Sequence, residues 1–483
     1  MALIHVRSVL GDAHGSATQT YHRGIVASDS PWKTLMLPAY VIHASPLPQM
    51  NRTSPARIGA RGHHIRSEQR WDGLVINLRL SPATALRNLD ILAVLIAASL
   101  PWSTSLPAIF AVIWLFALVP TIEPTLLQLF KRPICILPVA FFVLALAGTL
   151  WSSAPWTARL HAVGPLAKLL VIPLLIYHFR RSSRGQWVFT AFLVSCALLM
   201  IMSWIVAFDP RLALKSGAYY GVPIKNYIDQ SQEFALCAVA LAYPVVHLLL
   251  QKRIKEAALL LIVAVSFVAN MMFVVVSRTA LVTMPVMLGI FMFLHLTPRR
   301  MIAVSCTTLL AGVVMWFASP SLQSRVASFS SQYDQYETSD QATSIGLRLE
   351  FWRKSLRFFV DAPLAGHGTG SVQGLFTAAA VGQTGAAAEV VNNPHNQTLN
   401  AAVQWGSLGI LVLYAMWLFH LSLFRGTSLA DWVGLLVVAQ NMMTSLFNSH
   451  LFDFHEGWMY VLGVGVAGGM VLQTRAVEIS SRS

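Results

Sequence analysis

Charge is scarce in this chain. Asp, Glu, Lys and Arg make up 11% of its 483 residues, against roughly a quarter in soluble domains. That shortage excludes an ordinary soluble globular domain. Cysteine is also sparse. Cys135, Cys196, Cys237 and Cys306 all fall inside apolar segments, which excludes a disulfide framework and a CxxC metal site. The run NSHLFDFHEGW holds His450, Asp453, His455 and Glu456, yet neither HExxH nor another zinc spacing occurs in it. Residues 1–85 lack a sustained apolar run, so no secretory signal core is expected there. No repeat relates the two halves, which argues against transporter folds built on internal repeats.

Apolar residues dominate instead. The chain is 55% hydrophobic, with mean hydropathy +0.60, and its apolar runs approach the length of about twenty that crosses a hydrocarbon core. The expected fold is an all-α polytopic membrane protein. Twelve spans are read at 87–103, 105–121, 133–151, 164–179, 185–207, 231–250, 256–276, 278–296, 301–318, 396–424, 429–448 and 455–473. Four regions follow. Residues 1–85 form a polar arm, made basic by Arg52, Arg57, Arg61, Arg66 and Arg70, and expected to be disordered. Residues 86–318 carry spans one to nine, 319–395 a long loop, and 396–483 the last three spans and a short tail.

The net charge of +14 is read as loop charge of a membrane protein and not as a nucleic-acid surface. With the N-terminus inside, the inner loops hold Lys131, Arg132, Arg180, Arg181, Arg184, Lys252, Arg253, Lys255, Arg299, Arg300 and Arg425. The short outer loops hold only Arg159, Arg211, Lys215, Lys225 and Arg278. This asymmetry puts both termini inside and 319–395 outside. An anionic ligand on the outer face would account for the outer exceptions.

Several candidate residues collect at that face. Asn393 and Pro394 read as the N-cap and first position of span ten, which puts His395 in the first helical turn. The positive end of the helix favours a neutral imidazole, which is able to accept a proton; capping at a wet interface is the other reading. Span eight opens SRTALV, with Ser277 as N-cap and Arg278 beside it. This is either an anion site or an arginine snorkelling to the interface. Ahead of span six, Lys225, Asp229, Gln230 and Gln232 are a capping cluster or ligands for phosphate and sugar hydroxyls. Within the long loop the first part, SLQSRVASFSSQYDQYETSDQATS, reads as polar and mobile. Residues 345–360 read as an amphipathic helix with Arg348, Arg353, Lys354 and Arg357 interleaved, suited to a membrane surface or to packing on the transmembrane body. PLAGHGTGS, 363–371, reads as a tight turn whose backbone approaches a ligand, with His367 as a loop residue. Gly406 and Gly409 suggest close helix packing.

With these features in place, the chain resembles the O-antigen ligase family, which belongs with the Wzy-type polysaccharide polymerases. The resemblance rests on the twelve spans, the long loop between spans nine and ten, SRTALV, and PHNQTLNAAVQWGSLG opening span ten. It covers about 87–473 and leaves the arm unmatched. It implies a GT-C-like glycosyltransferase of a Gram-negative inner membrane, with its active site on the periplasmic side. The donor would be undecaprenyl-pyrophosphate-linked O-antigen and the acceptor the lipid A–core oligosaccharide. The implied transfer is inverting and needs no metal and no other cofactor. His395 matches the family's catalytic histidine, and Arg278 and Arg348 match its pyrophosphate-binding arginines. Lys225, Gln232, Arg353 and Asn396 are further candidates for substrate contact. The alternatives are a Wzy-type polymerase and a lipid-linked saccharide transporter.

Overall fold

The computed structural model describes residues 81–215, 220–339 and 342–481. The basic arm lies outside them, save for its last residues. All the described regular structure is helical: α1 (Pro82–Ser99), α2 (Ser105–Leu118), α3 (Thr125–Leu129), α4 (Pro133–Ala147), α5 (Trp156–Val163), α6 (Val171–Phe179), α7 (Gly185–Phe208), α8 (Tyr227–Ala240), α9 (Ala242–Leu250), α10 (Ile254–Phe273), α11 (Arg278–His295), α12 (Pro298–Ala318), α13 (Pro320–Ser339), α14 (Ser344–Asp361), α15 (Val372–Ala380), α16 (Gln397–Leu423), α17 (Leu429–Thr444) and α18 (Phe454–Ser480).

Eight stretches are long and apolar enough to cross a membrane: α5 through α6, α7, α8 through α9, α10, α11, α12, α16 and α18. The other four expected spans also fall on helices. Of these, α2 and α4 have only 14 and 15 residues and α17 has 16. At 1.5 Å per residue they fall short of a hydrocarbon core about 30 Å thick. The fourth, α1, carries Arg87 and Asp90. Asp90 is buried, accepting from Ser182 Oγ at 2.6 Å and bonded to His178 Nε2 at 2.8 Å.

The helix α18 is central. It packs on α6 and α17, and small residues let it come close. A Cβ on Gly465 would meet Leu175, and one on Gly469 would meet Phe179, each at 2.6 Å. In contrast, α12 has no buried residue along its length, and Leu309, Leu310 and Phe317 stand exposed on it.

Two expectations for the long loop change. Its first part, read as a polar run, is helical: it forms α13, whose Ser324, Ser328 and Ser330 hydroxyls donate back to carbonyls of their own helix. Tyr336 lies against Gly346 of the next helix. Polarity hid α13, because its support comes from tertiary packing and not from an apolar stripe. The amphipathic helix expected at 345–360 is α14, capped by Thr343 Oγ1 on the Gly346 amide at 3.2 Å. Its inner face, with Phe351, packs on Val372, Phe376 and Val403.

The first part of the glycine-rich turn packs on the backbone of a helix. Gly406 breaks α16 with φ +62° and ψ −152°, so it is not merely a small packing residue. The first segment then ends with orphan carbonyls and the second begins with orphan amides. Residues 363–368 satisfy both sets. The His367 and Gly368 amides donate to the Val403 and Gln404 carbonyls, each at 2.9 Å. The Ser407 and Leu408 amides donate to the Pro363 and Leu364 carbonyls at 2.7 and 3.3 Å. A side chain at 406 would meet the Leu364 backbone, and positive φ disfavours one in any case.

Candidate active site

The start of α16 differs from the sequence expectation by three residues. Its N-cap is Asn396, whose Oδ1 accepts from the Leu399 amide at 3.0 Å while its Nδ2 donates to the Leu446 carbonyl at 3.1 Å. Asn396 is therefore committed to the backbone. Pro394 and His395 precede the helix, and His395 has φ +53°. For a residue with a Cβ this costs roughly 1–2 kcal/mol. Its amide donates to Asn393 Oδ1 at 2.9 Å, which holds the turn.

The imidazole is oriented by a residue that the spacing rules did not single out. His395 Nδ1 lies 2.9 Å from Asn448 Oδ1. Asn448 Nδ2 donates to Asp453 Oδ2 at 2.7 Å. A carboxylate oxygen accepts, so the amide orientation is fixed and Oδ1 is the side facing His395. His395 Nδ1 must then carry the proton, and Nε2 keeps its lone pair. No hydrogen bond to Nε2 occurs among the described residues. The ring stacks on Phe351 at 6.1 Å and 27°. Burial pushes the imidazole pKa below its ordinary value; Asn448 opposes this, while the Arg348 charge adds to it. The histidine is thus neutral near pH 7, with burial and not the helix end as the main cause.

The three residues matched to the family lie in one electrostatic neighbourhood. The Arg348 charge acts on both His395 and Arg278. Arg348 and Phe351 are three residues apart on α14, so one helix face brings a cation and an aromatic wall to the histidine. Burial also lowers the Arg348 pKa. Arg278 donates to Gln332 Oε1 at 3.1 Å and Ser328 Oγ at 2.8 Å, and lies 4.8 Å over Phe329. Arg325 of α13 faces Arg278 and stacks on Tyr227 at 5.5 Å. Among the described residues no carboxylate pairs with Arg278, Arg325 or Arg348. Elsewhere cations do find acids, as Arg181 finds Glu123 and Arg253 finds Glu256. Arg325 was invisible in the sequence because its segment read as an unstructured polar run.

Other candidates fall outside this group. Lys225 is buried against Glu233 Oε1 at 2.9 Å and the Leu100 carbonyl, so its charge is already matched. Gln232 is buried, and both its carbonyl and its Oε1 accept from Gln440 Nε2, at 2.8 and 3.0 Å. Arg353 points outward, its side chain 61% exposed and 3.6 Å from Glu350. His367 is a loop residue bonded to the Phe358 carbonyl at 2.7 Å.

Behind His395 the polar run before α18 converges. Ligand atoms of His450, Asp453 and Glu456 lie within 4.8 Å of one another, a convergence the spacing does not reveal. His450 Nδ1 is 3.0 Å from Asp453 Oδ2. The Lys168 ammonium donates to the Asp453 carbonyl and interacts with both carboxylates, so positive charge is already present there. A cleft of about 260 Å³ adjoins this group, lined by His161, Gln373, Asn392, Asn393, Asn400 and Asp453 among others.

Together these features define a class: a polytopic helical membrane protein with a helical insertion between α12 and α16 and a histidine–arginine site at the insertion's end. Residues 262–414, less than half of the chain, match the family model for O-antigen ligase, so this segment is similar to that family. The matched segment contains Arg278, Arg325, Arg348 and His395 but not Asn448 or Asp453. No curated protein matches the chain.

Proposed function

We propose that the chain is an O-antigen ligase. It transfers O-antigen polysaccharide from undecaprenyl pyrophosphate to a sugar hydroxyl of lipid A–core, on the periplasmic side of a Gram-negative inner membrane. Twelve crossings with both termini inside would put 319–395 on that side. The observation that carries the reading is the proximity of an unprotonated His395 Nε2 to arginines that pair with no carboxylate among the described residues.

The acceptor hydroxyl is a weak nucleophile, and His395 Nε2 takes its proton. The hydroxyl oxygen forms a bond to the anomeric carbon as the bond from that carbon to the pyrophosphate oxygen breaks, inverting the centre. The electron pair leaves with undecaprenyl pyrophosphate. Arg278 and Arg348, with Arg325 adjacent, stabilise the developing charge; each preorganised donor is worth roughly 3 kcal/mol. The arginines supply the positive charge that leaving-group departure requires, so the step as drawn uses no metal ion.

The test is transfer by the purified full chain in detergent, given lipid-linked O-antigen and lipid A–core. Polysaccharide appearing on core is the expected product. Donor that lengthens without core product means a polymerase, and the absence of either product in this single compartment leaves a transporter.

A further inference from the structure

The outward face of α14 has no part in the chemistry above. Arg348, Phe351, Lys354 and Ser355 point inward, and Lys354 is tied to the Ala387 carbonyl. Outward stand Leu349, Arg353, Leu356, Arg357 and Val360, at spacings of three and four that make one continuous stripe. Leu364 continues it one turn beyond the helix. Leu356, Val360 and Leu364 are 54%, 71% and 79% exposed. Leucine and valine at such exposure, interleaved with two arginines, do not suit contact with water alone.

The level of this stripe is fixed by backbone bonds. The Pro363 and Leu364 carbonyls accept from Ser407 and Leu408, so the turn is pinned where α16 is broken. Before the break α16 is enclosed: Ala401, Ala402, Val403 and Trp405 are buried. After it, Leu408, Leu411 and Leu418 are exposed along a segment apolar enough to cross a membrane. The break thus marks the level at which one side of the helix becomes exposed, while Leu413, Met416 and Trp417 on its other side stay buried. The half-exposed Trp151 indole donates to the Ala365 carbonyl at 3.2 Å, and tryptophan favours membrane–water interfaces.

We propose that the outer stripe of α14 and the 363–366 turn form a lipid-docking surface continuous with the lipid-facing side of α16. Leu356, Val360 and Leu364 enter the edge of the hydrocarbon. Arg353 and Arg357 bind phosphates of lipid headgroups. The surface anchors the inward face of the same helix, which carries Arg348 and Phe351, at a set height above the bilayer. The inference rests on the membrane-spanning class of the chain and not on the transfer reaction.

The experiment uses the full chain in lipid nanodiscs, with Cys306→Ser removing the one exposed cysteine. Spin labels are placed at Val360→Cys, Leu364→Cys and, as a water-exposed control, Gln383→Cys. Collisions with oxygen, which concentrates in lipid, are compared with collisions with a water-soluble nickel chelate. The oxygen-to-nickel ratio at 360 and 364 is expected to exceed the control by roughly threefold or more. A ratio equal to that of the control overturns the proposal. Shielding from both probes also overturns it, since protein, such as a second copy, would then cover the stripe. In nanodiscs containing phosphatidylglycerol, Arg353→Gln with Arg357→Gln is expected to raise nickel access at 364, each arginine contributing roughly fivefold to the docked population. No change with lipid charge or with the double substitution overturns the phosphate assignment.

Discussion

The two sides of the candidate site are built in opposite ways. On the histidine side a hydrogen-bond network holds the ring and leaves His395 Nε2 open. Asn393, Asn448, Ser449, His450 and Asp453 bond to one another and to His395. On the arginine side the partners are neutral: a serine hydroxyl, a glutamine oxygen and aromatic faces hold Arg278 and Arg325. Arg278 is partly buried and Arg325 exposed, so water shares in solvating both charges and no acid is required to hold them. The difference separates two needs. A base must be aimed before the substrate arrives, so its bonds are made in advance. A charge that will meet a pyrophosphate is best left unmatched, because a resident carboxylate would compete with the ligand.

The largest break in this comparison comes from removing the base. His395→Ala is expected to lower transfer by ~10²–10⁴-fold, within the range of general-base catalysis, with unused lipid-linked donor accumulating in the membrane. Full transfer by this variant would end the base assignment. On the other side, Arg278→Lys and Arg348→Lys are each expected to cost ~10²-fold. Lysine keeps the charge but not the planar fork that grips two phosphate oxygens. Equal donor affinity in the wild type and both variants would count against a pyrophosphate site. Gly406→Ala acts on the scaffold joining the sides. Its positive φ and the Leu364 backbone predict a loss of about 1–3 kcal/mol, read as a lower unfolding midpoint in detergent.

Much of the fold was legible because apolar runs report helices directly: every expected span falls on one. Length was less legible, since α2, α4 and α17 are too short to cross unaided and depend on neighbours for their place. His395, Arg278 and Arg348 could be singled out as candidates because they stand near helix starts or on an amphipathic face. Asn448 was passed over beside more conspicuous metal-ligand types, although it lies in the same run. Arg325 was hidden in α13, whose polar sequence carries no period. The break at Gly406 was also hidden, because its cause is the backbone of a turn some forty residues earlier in the chain. Local pattern reports what a segment buries. It does not report which distant carbonyl will satisfy its ends.

The finest test of the two-sided arrangement is the pH dependence. As the proposed base, the His395 imidazole would act in its neutral form, and burial lowers its pKa in the folded protein. Transfer should therefore hold a plateau at neutral pH and fall only as the pH drops through a midpoint below the ordinary histidine value of about 6.5. The two sides pull this midpoint in opposite directions. The Arg348 charge disfavours imidazolium, so Arg348→Gln should move the midpoint up while also lowering the plateau. The Asn448 oxygen accepts from Nδ1–H and favours imidazolium, so Asn448→Leu should move it down. Its plateau should fall by ~10-fold through lost aim of the base, mainly in kcat and with little change in KM for the donor. A purely structural role for Asn448 would lower activity equally at all pH values. Shifts of the same sign in both variants would mean that the two sides do not act on one imidazole.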